Sequence, residues 1–193
     1  MQYLVTASQM KEYDNNTINV IGIPAMVLME RAALAVRDEV NVYSGPTRVL
    51  IVTGVGNNGG DGIALARLLS EQNYKVTVCV TGDLRKATEA YKAQWNILKH
   101  YQVEVIDIDC LKVKDRDSYD IVVDAVFGVG LCREVTGIFA ETISAMNQLS
   151  GYKISVDIPS GICADTGRVL GTAFVADETI TFAFAKLGTM LYP

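Results

Sequence analysis

Of 193 residues only one is histidine and one tryptophan, and the four cysteines, Cys79, Cys110, Cys132 and Cys163, include no CxxC pair. A zinc knuckle or a disulfide framework needs cysteines at short, regular spacing, so neither is supported and reduced thiols are expected. His100 falls at the end of a predicted helix, where a cation suits the dipole. Hydrolase triads and His-rich metal sites therefore lack parts. Positive charge is scarce as well: 17 Lys and Arg against 22 Asp and Glu leave a net charge of −5. DNA or RNA binds through a basic footprint that this chain does not have overall. No apolar run approaches the roughly 18 residues of a membrane helix, and Met1 to Val5 shows neither a basic n-region nor an Arg-rich pattern. The expectation is a cytoplasmic protein that binds neither nucleic acid nor membrane.

What remains is an ordinary globular composition, 50% hydrophobic and 20% charged with 16 Gly, and at this mass roughly 70% of the unfolded surface can be buried in one core. Two helical segments come first. Thr6 followed by Gln9 reads as a capping box opening a helix toward Asn16. Gly22-Ile23-Pro24 leads into a second helix to about Val42, stopped by Ser44-Gly45-Pro46. From Arg48 the pattern alternates. Val49 to Val52 is a continuous β-branched run, as expected of a strand covered on both faces. A helix from Asp61 to Glu71, a strand Lys75 to Val80 and a helix Arg85 to Lys99 follow. Val103 to Ile108, Ile121 to Phe127, Ile154 to Val156 and Thr179 to Phe184 read as further strands, with a helix through Phe139, Ile143, Met146 and Leu149. Such alternation predicts an α/β fold, a mostly parallel sheet with helices on both faces, preceded by two helices.

In a doubly wound sheet, ligands bind beyond the carboxyl ends of the strands. Three strands here end in polar, glycine-containing loops. Gly54-Val55-Gly56-Asn57-Asn58-Gly59 satisfies GxGxxG after a strand and before a helix, where glycines let backbone amides close on a phosphate. Asp83 ends the next strand, about where a ribose-binding acid belongs. The plain alternative is a tight turn. No Lys-Ser or Lys-Thr follows, which excludes a Walker A loop. Two asparagines and Asp61 exceed what a backbone cradle requires, so side chains should bind something too. The second loop runs from Asp124 through Gly128 and Gly130 to Arg133. A carboxylate on a buried strand is costly unless a cation or donors satisfy it; Asp124 is expected to have one or the other. Arg133 can offer paired donors to phosphate. The third loop, Asp157-Ile158-Pro159-Ser160-Gly161, ends another apolar strand with an acid. It does not match GxSxG, and Ser160 reads otherwise as a turn cap.

Taken together, the run Gly56 to Gly62 with Ala66-Arg67, Val123-Asp124-Ala125 with its glycine loop, and Val156 to Gly161 resemble the YjeF amino-terminal domain, the NAD(P)HX epimerase family. The resemblance extends to Gly22-Ile23-Pro24, Leu28 to Ala32, Asp165-Thr166-Gly167 and Lys186-Leu187-Gly188. It implies a Rossmann-like three-layer α/β/α fold over residues 1–193, an isomerase that interconverts the R and S forms of hydrated NADH or NADPH, and a dehydratase, as partner protein or fused domain, that consumes the S form. By position, the substrate NADHX or NADPHX should be held by Asn57, Asn58, Gly59, Gly60 and Asp61, by Gly128, Val129, Gly130, Leu131, Cys132, Arg133 and Glu134, and by Asp157. A potassium ion should be bound by Asn58, Asp124 and Ser160, and a homodimer is expected. Asp157 is the expected acid/base, with Asp61 the competing residue. Family members continue past the position of Pro193 with another strand, which implies a truncated carboxyl end and an open sheet edge near Thr179 to Phe184. The alternative function is a non-catalytic dinucleotide-binding or protein-interaction module of the same fold. An ordinary NAD(P) dehydrogenase fits poorly, because the loops show no obvious His, Tyr or Lys constellation for proton transfer.

Overall fold

The computed structural model describes residues 3–40, 47–72 and 74–191. Helix α1 (Ala7–Asn19) opens on the expected capping box. Thr6 Oγ1 accepts from the Gln9 amide at 3.2 Å, and Gln9 Oε1 accepts from the Thr6 amide at 2.9 Å. Helix α2 (Ala25–Val40) follows Pro24, which has no amide proton to leave unpaired. The expected end of α2 near Val42 and the stop at Ser44 to Pro46 lie outside the described residues.

The central sheet is wholly parallel. Its strands are β2 (Arg48–Thr53), β3 (Lys75–Val80), β4 (Glu104–Ile106), β5 (Ile121–Ala125), β6 (Tyr152–Val156) and β7 (Glu178–Ile180), in spatial order β4-β3-β2-β5-β6-β7. The chain starts in the middle at β2, winds outward to β4, then returns beside β2 and winds the other way to β7. The order reverses between β2 and β5, which makes their carboxyl ends the natural crevice of this fold. Alternation along each strand sorts the core into two layers. Val49, Ile51, Val78 and Val123 pack with α2, α3 (Asn57–Ser70) and α4 (Glu89–Leu98), while Leu50, Val52, Cys79 and Val122 pack with α5 (Ile108–Lys112) and α6 (Gly137–Gln148). An ion pair between Arg67 of α3 and Glu30 of α2, at 2.5 Å, ties two helices of the first layer together.

Several boundaries differ from the pattern, each for a local reason. Helix α3 begins at Asn57 instead of Asp61, so the supposed glycine loop is its first turn, with Gly56 as N-cap. The helix expected from Arg85 is split: Asp83 caps a short 3-10 turn at Leu84–Lys86, and Thr88 then caps α4. The strand expected over Val103 to Ile108 stops at Ile106 because the Asp107 carboxylate accepts from the Cys110 amide at 2.8 Å and starts α5. The strand expected over Thr179 to Phe184 is β7 alone, followed by a turn in which Ala183 is left-handed, with φ 58°. The sequence pattern gave no sign of a second, two-stranded sheet, in which β1 (Leu4–Val5) pairs in parallel with β8 (Ala185–Lys186). The chain then turns through α7 (Leu187–Met190).

Two glycines set how closely the first turn of α3 approaches the sheet. A Cβ on Gly54 would stand 2.3 Å from the Val126 carbonyl oxygen, and one on Gly59 would stand 2.0 Å from the Gly54 carbonyl oxygen. Both obstacles are backbone, which cannot swing aside. Gly59→Ala is therefore expected to lower stability by about 1–3 kcal/mol or more through overpacking. Chemical denaturation checks this, and an unchanged midpoint would mean that the helix does not sit this close.

Candidate functional site

The site grows out of the reversal point. At the start of α3 the first intrahelical hydrogen bond is Gly60 N to Gly56 O, 3.0 Å. The preceding amides are the unspent donors of a helix amino terminus, with the positive end of the dipole behind them. Nothing lies within 4 Å of where a Gly56 Cβ would be. The three glycines of the GxGxxG run thus differ: Gly54 and Gly59 permit close packing, and Gly56 stands at an open N-cap.

Beside this turn, at the end of β5, Asp124 is fully buried. Four donors satisfy its carboxylate. Oδ1 accepts from Ser160 Oγ at 2.6 Å and the Val126 amide at 3.1 Å; Oδ2 accepts from the Ser160 amide at 2.7 Å and Ser155 Oγ at 3.3 Å. Ser160 Oγ in turn accepts from the Phe127 amide at 2.8 Å. Burial pushes the Asp124 carboxyl up to about 6, against the pull of those hydrogen bonds. Donors thus satisfy this residue, which is one of the two ways expected of it. The nearby Asn58 side chain is different: its buried Nδ2 has no hydrogen-bond partner among the described residues.

The three loops converge at Gly128. A Cβ there would stand 3.2 Å from Asp157 Oδ2 and 3.3 Å from Asn58 Cγ. Asp157 directly follows β6, with a left-handed backbone at φ 70°, and its amide donates to Ile180 O at 2.8 Å. The other carboxylate oxygen, Oδ1, is held by the Lys186 ammonium at 2.5 Å. Two more carboxyls face the pair. Asp61, at the start of the second turn of α3, accepts no side-chain hydrogen bond among the described residues, and burial, then Asp157 and Asp14, hold its carboxyl well above the ordinary range. Asp14 of α1 is raised by burial and Asp157, and pulled back by Lys186.

Asn57, Asn58, Gly59, Gly60 and Asp61 thus follow one another at the amino terminus of α3, and Asp157 and Gly128 meet it there. Val129 and Leu131 are partly covered, whereas Gly130, Cys132, Arg133 and Glu134 are exposed on the rim. Arg133 makes no ion pair among the described residues. Asp83 does not stand ready for a ribose: both its oxygens are bound by Arg85, at 2.8–3.2 Å. Pattern reasoning missed Lys186 as a site residue. It is nonetheless legible in hindsight as a lone cation in the apolar stretch Phe182 to Leu187, a placement that burial would allow only with a partner.

Known proteins resemble this chain over most of its length. A sequence profile described as the YjeF-related protein N-terminus matches residues 25–188. A protein of Limosilactobacillus reuteri named NAD(P)H-hydrate epimerase is 46% identical over 96% of this chain and 86% of its own length. One of Levilactobacillus brevis with the same name is 45% identical over 98% of this chain and 87% of its own. The crystal structure of a yeast protein, ynu0, superposes with a TM-score of 0.87 over 99% of this chain and 84% of that one at 22% identity, which shows the shared fold.

The raised Asp61 carboxyl carries a stability cost with a defined sign. Below about pH 4 both folded and unfolded chains hold the proton; as pH rises the unfolded chain ionises first, and stability falls until the folded group ionises as well. Asp61→Asn removes that loss. Its melting temperature is expected to exceed the wild type's near pH 8, with the gap closing toward pH 4. A gap that is absent, or widest in acid, would contradict the assignment.

Proposed function

From its membership of the family of the YjeF-related protein N-terminus, to which this chain belongs, we infer that the protein is an isomerase, an NAD(P)H-hydrate epimerase that interconverts the R and S forms of hydrated NADH and NADPH. The observation that carries the site assignment is the meeting of Asn58, Gly128 and Asp157 at the reversal point of a doubly wound sheet. The substrate's phosphates would lie on the open first turn of α3 over Gly56, with Arg133 on the rim as a further donor. Asn57, Asn58, Gly59, Gly60 and Asp61 from one side, and Gly128, Val129, Gly130, Leu131, Cys132, Arg133 and Glu134 from the other, enclose the rest.

Epimerisation must invert a carbon bearing both a hydroxyl and the ring nitrogen. The nitrogen lone pair expels the hydroxyl, which leaves as water once a carboxyl has given it a proton. A water on the opposite face then adds to the carbon and gives up a proton that restores the donor's, so atoms and charge balance. The carboxyl must lie within hydrogen-bond reach of that oxygen, and help of this kind is worth about 10² to 10⁴ in rate. Asp157 fits the role because Oδ2 looks toward Gly128 and Asn58. Asp61, whose carboxyl is held well up by burial, is the second acid beside it.

The residues fit a potassium ion in part. Asp124 and Ser160 supply oxygens, and the unpartnered Asn58 amide would present Oδ1 if turned over, a rotation that exchanges O for N without moving the side chain. Such an ion supplies positive charge that draws an anionic substrate toward the glycine turn. A cytoplasmic homodimer, feeding the S form to a dehydratase, completes the proposal. A purely non-catalytic module would need neither Asp157 nor Asp61 in its crevice.

Two experiments test these assignments. Asp157→Asn is nearly isosteric and should lose at least about tenfold in epimerisation of R-NADHX, followed chromatographically against a no-enzyme control, while still binding NADP⁺. Wild-type turnover by the variant would move the acid/base to Asp61 or a bound water. For the ion, melting temperature in potassium is compared with that in a large organic cation. The wild type should gain stability in potassium and Asp124→Ala should not; equal gains in both would reject the site.

A further inference from the structure

Lys186 is completely buried, yet none of its ammonium hydrogens is left for a ligand. Besides Asp157 Oδ1 at 2.5 Å, it donates to Thr181 Oγ1 at 2.7 Å and to the Phe182 carbonyl at 3.2 Å. Two of those three acceptors, Thr181 and Phe182, follow directly on β7, and the third, Asp157, follows directly on β6. Among the described residues the two non-glycine residues with left-handed backbone are Asp157 and Ala183. Both border this ammonium: Asp157 accepts from it directly, and Ala183 shapes the turn whose preceding carbonyl does. Left-handed backbone at a non-glycine residue costs on the order of 1 kcal/mol or more and persists only where the surroundings over-determine it.

The consequence is asymmetric. Lys186 occupies Oδ1 of Asp157, joined weakly by Thr181 Oγ1 at 3.5 Å, and Oδ2 alone is turned to Gly128 and Asn58. We propose that Lys186 is the positioning residue of the acid/base, fixing the Asp157 carboxylate so that only Oδ2 meets the substrate, and that the amino-terminal strand β1 belongs to the site because it holds Lys186 in place. Val5 of β1 pairs in register with Lys186, and Leu4 with Ala185. Helix α1, which follows β1, is pinned by Ala7 N donating to Asp165 Oδ1 at 2.7 Å and by Tyr13 packing on Phe184 at 5.2 Å between ring centroids. The short segment Ala185 to Gly188 therefore joins three duties: pairing with β1, supplying the ammonium, and passing at Gly188 so close to the Cys163 carbonyl that a Cβ would stand 2.3 Å from it.

The proposal rests on the epimerase reading, and the test separates the two. Lys186→Met and the gentler Thr181→Val, an exposed position that removes one of the three acceptors, are compared with wild type. The readouts are R-NADHX epimerisation across pH, NADP⁺ binding and crystal structures. Lys186→Met should lose at least tenfold in kcat with KM within threefold. Its rate profile should have the alkaline limb moved to higher pH, because the proton-giving carboxyl then stands among Asp14 of α1 and Asp61 of α3 without its cation. Thr181→Val should lose about threefold, with a smaller shift in the same direction. In the crystal structures the Asp157 carboxylate should turn away from Gly128. If Lys186→Met does not fold, Thr181→Val decides. A wild-type profile in the deciding variant, a loss confined to KM, or an unmoved Asp157 carboxylate would overturn the proposal. A wild-type protein that leaves R-NADHX unconverted would instead reject the epimerase reading, and the orientation of Asp157 would still judge the role of Lys186.

Discussion

A carboxylate without solvent sits at the centre of this molecule, and the position of nearly every site group follows from how it is satisfied. Asp124 ends β5 in the middle of the sheet, where an unpaired charge would cost several kcal/mol. Its four hydrogen bonds come from its own loop, from β6 and from the turn after β6. By satisfying Asp124, Ser160 is fixed with both its amide and its hydroxyl, and the hydroxyl fixes Phe127. The loop carrying Gly128 and the turn that begins at Asp157 are thereby locked to each other before any ligand arrives. Preorganisation of this sort is what a proton-transfer site needs, since a misplacement of about an ångström can cost a hundredfold in rate.

Around that anchor the protein gathers charge that the fold would be more stable without. Asp157 holds the Lys186 ammonium, Asp14 feels the same charge, and the carboxyls of Asp14 and Asp61 are both pushed upward by burial and by Asp157. Asp157 and Ala183 add left-handed backbone. Such costs are tolerable because they are confined to the carboxyl ends of the strands. Elsewhere the two layers of core are apolar, with strand residues such as Leu50, Ile51 and Val78 wholly excluded from water. The separation is the general one in doubly wound folds: the body of the sheet supplies stability, and the loops beyond one edge bear the function.

The parallel sheet and its two helical layers were legible because β-branched runs alternating with helical periodicity have few other solutions. The three polar loops were legible for a related reason: in a parallel sheet the carboxyl end of every strand lies on the same side, so Asp61, Asp124 and Asp157 had to be neighbours in broad terms. Strand and helix boundaries were less so. Asn57 and Asn58 read as loop residues by composition, yet they begin α3, because packing of Gly59 onto Gly54 decides where the helix starts. Asp107 and Thr88 shifted other boundaries through single capping bonds.

By itself, then, the sequence determined the layer architecture, the strands whose ends carry chemistry and the family's motifs, since these depend on periodicity and on residue types close together in the chain. Tertiary structure alone decided that Asp124 is satisfied by donors, that Asp83 is taken up by Arg85, and that Lys186 reaches Asp157 across 29 positions of sequence. Two-residue strands such as β1 and β8 carry too little pattern to be read locally, and their pairing spans most of the chain. A lysine's partner is set by where distant segments come to rest, and the burial that forces it to have one exists only after the chain has folded.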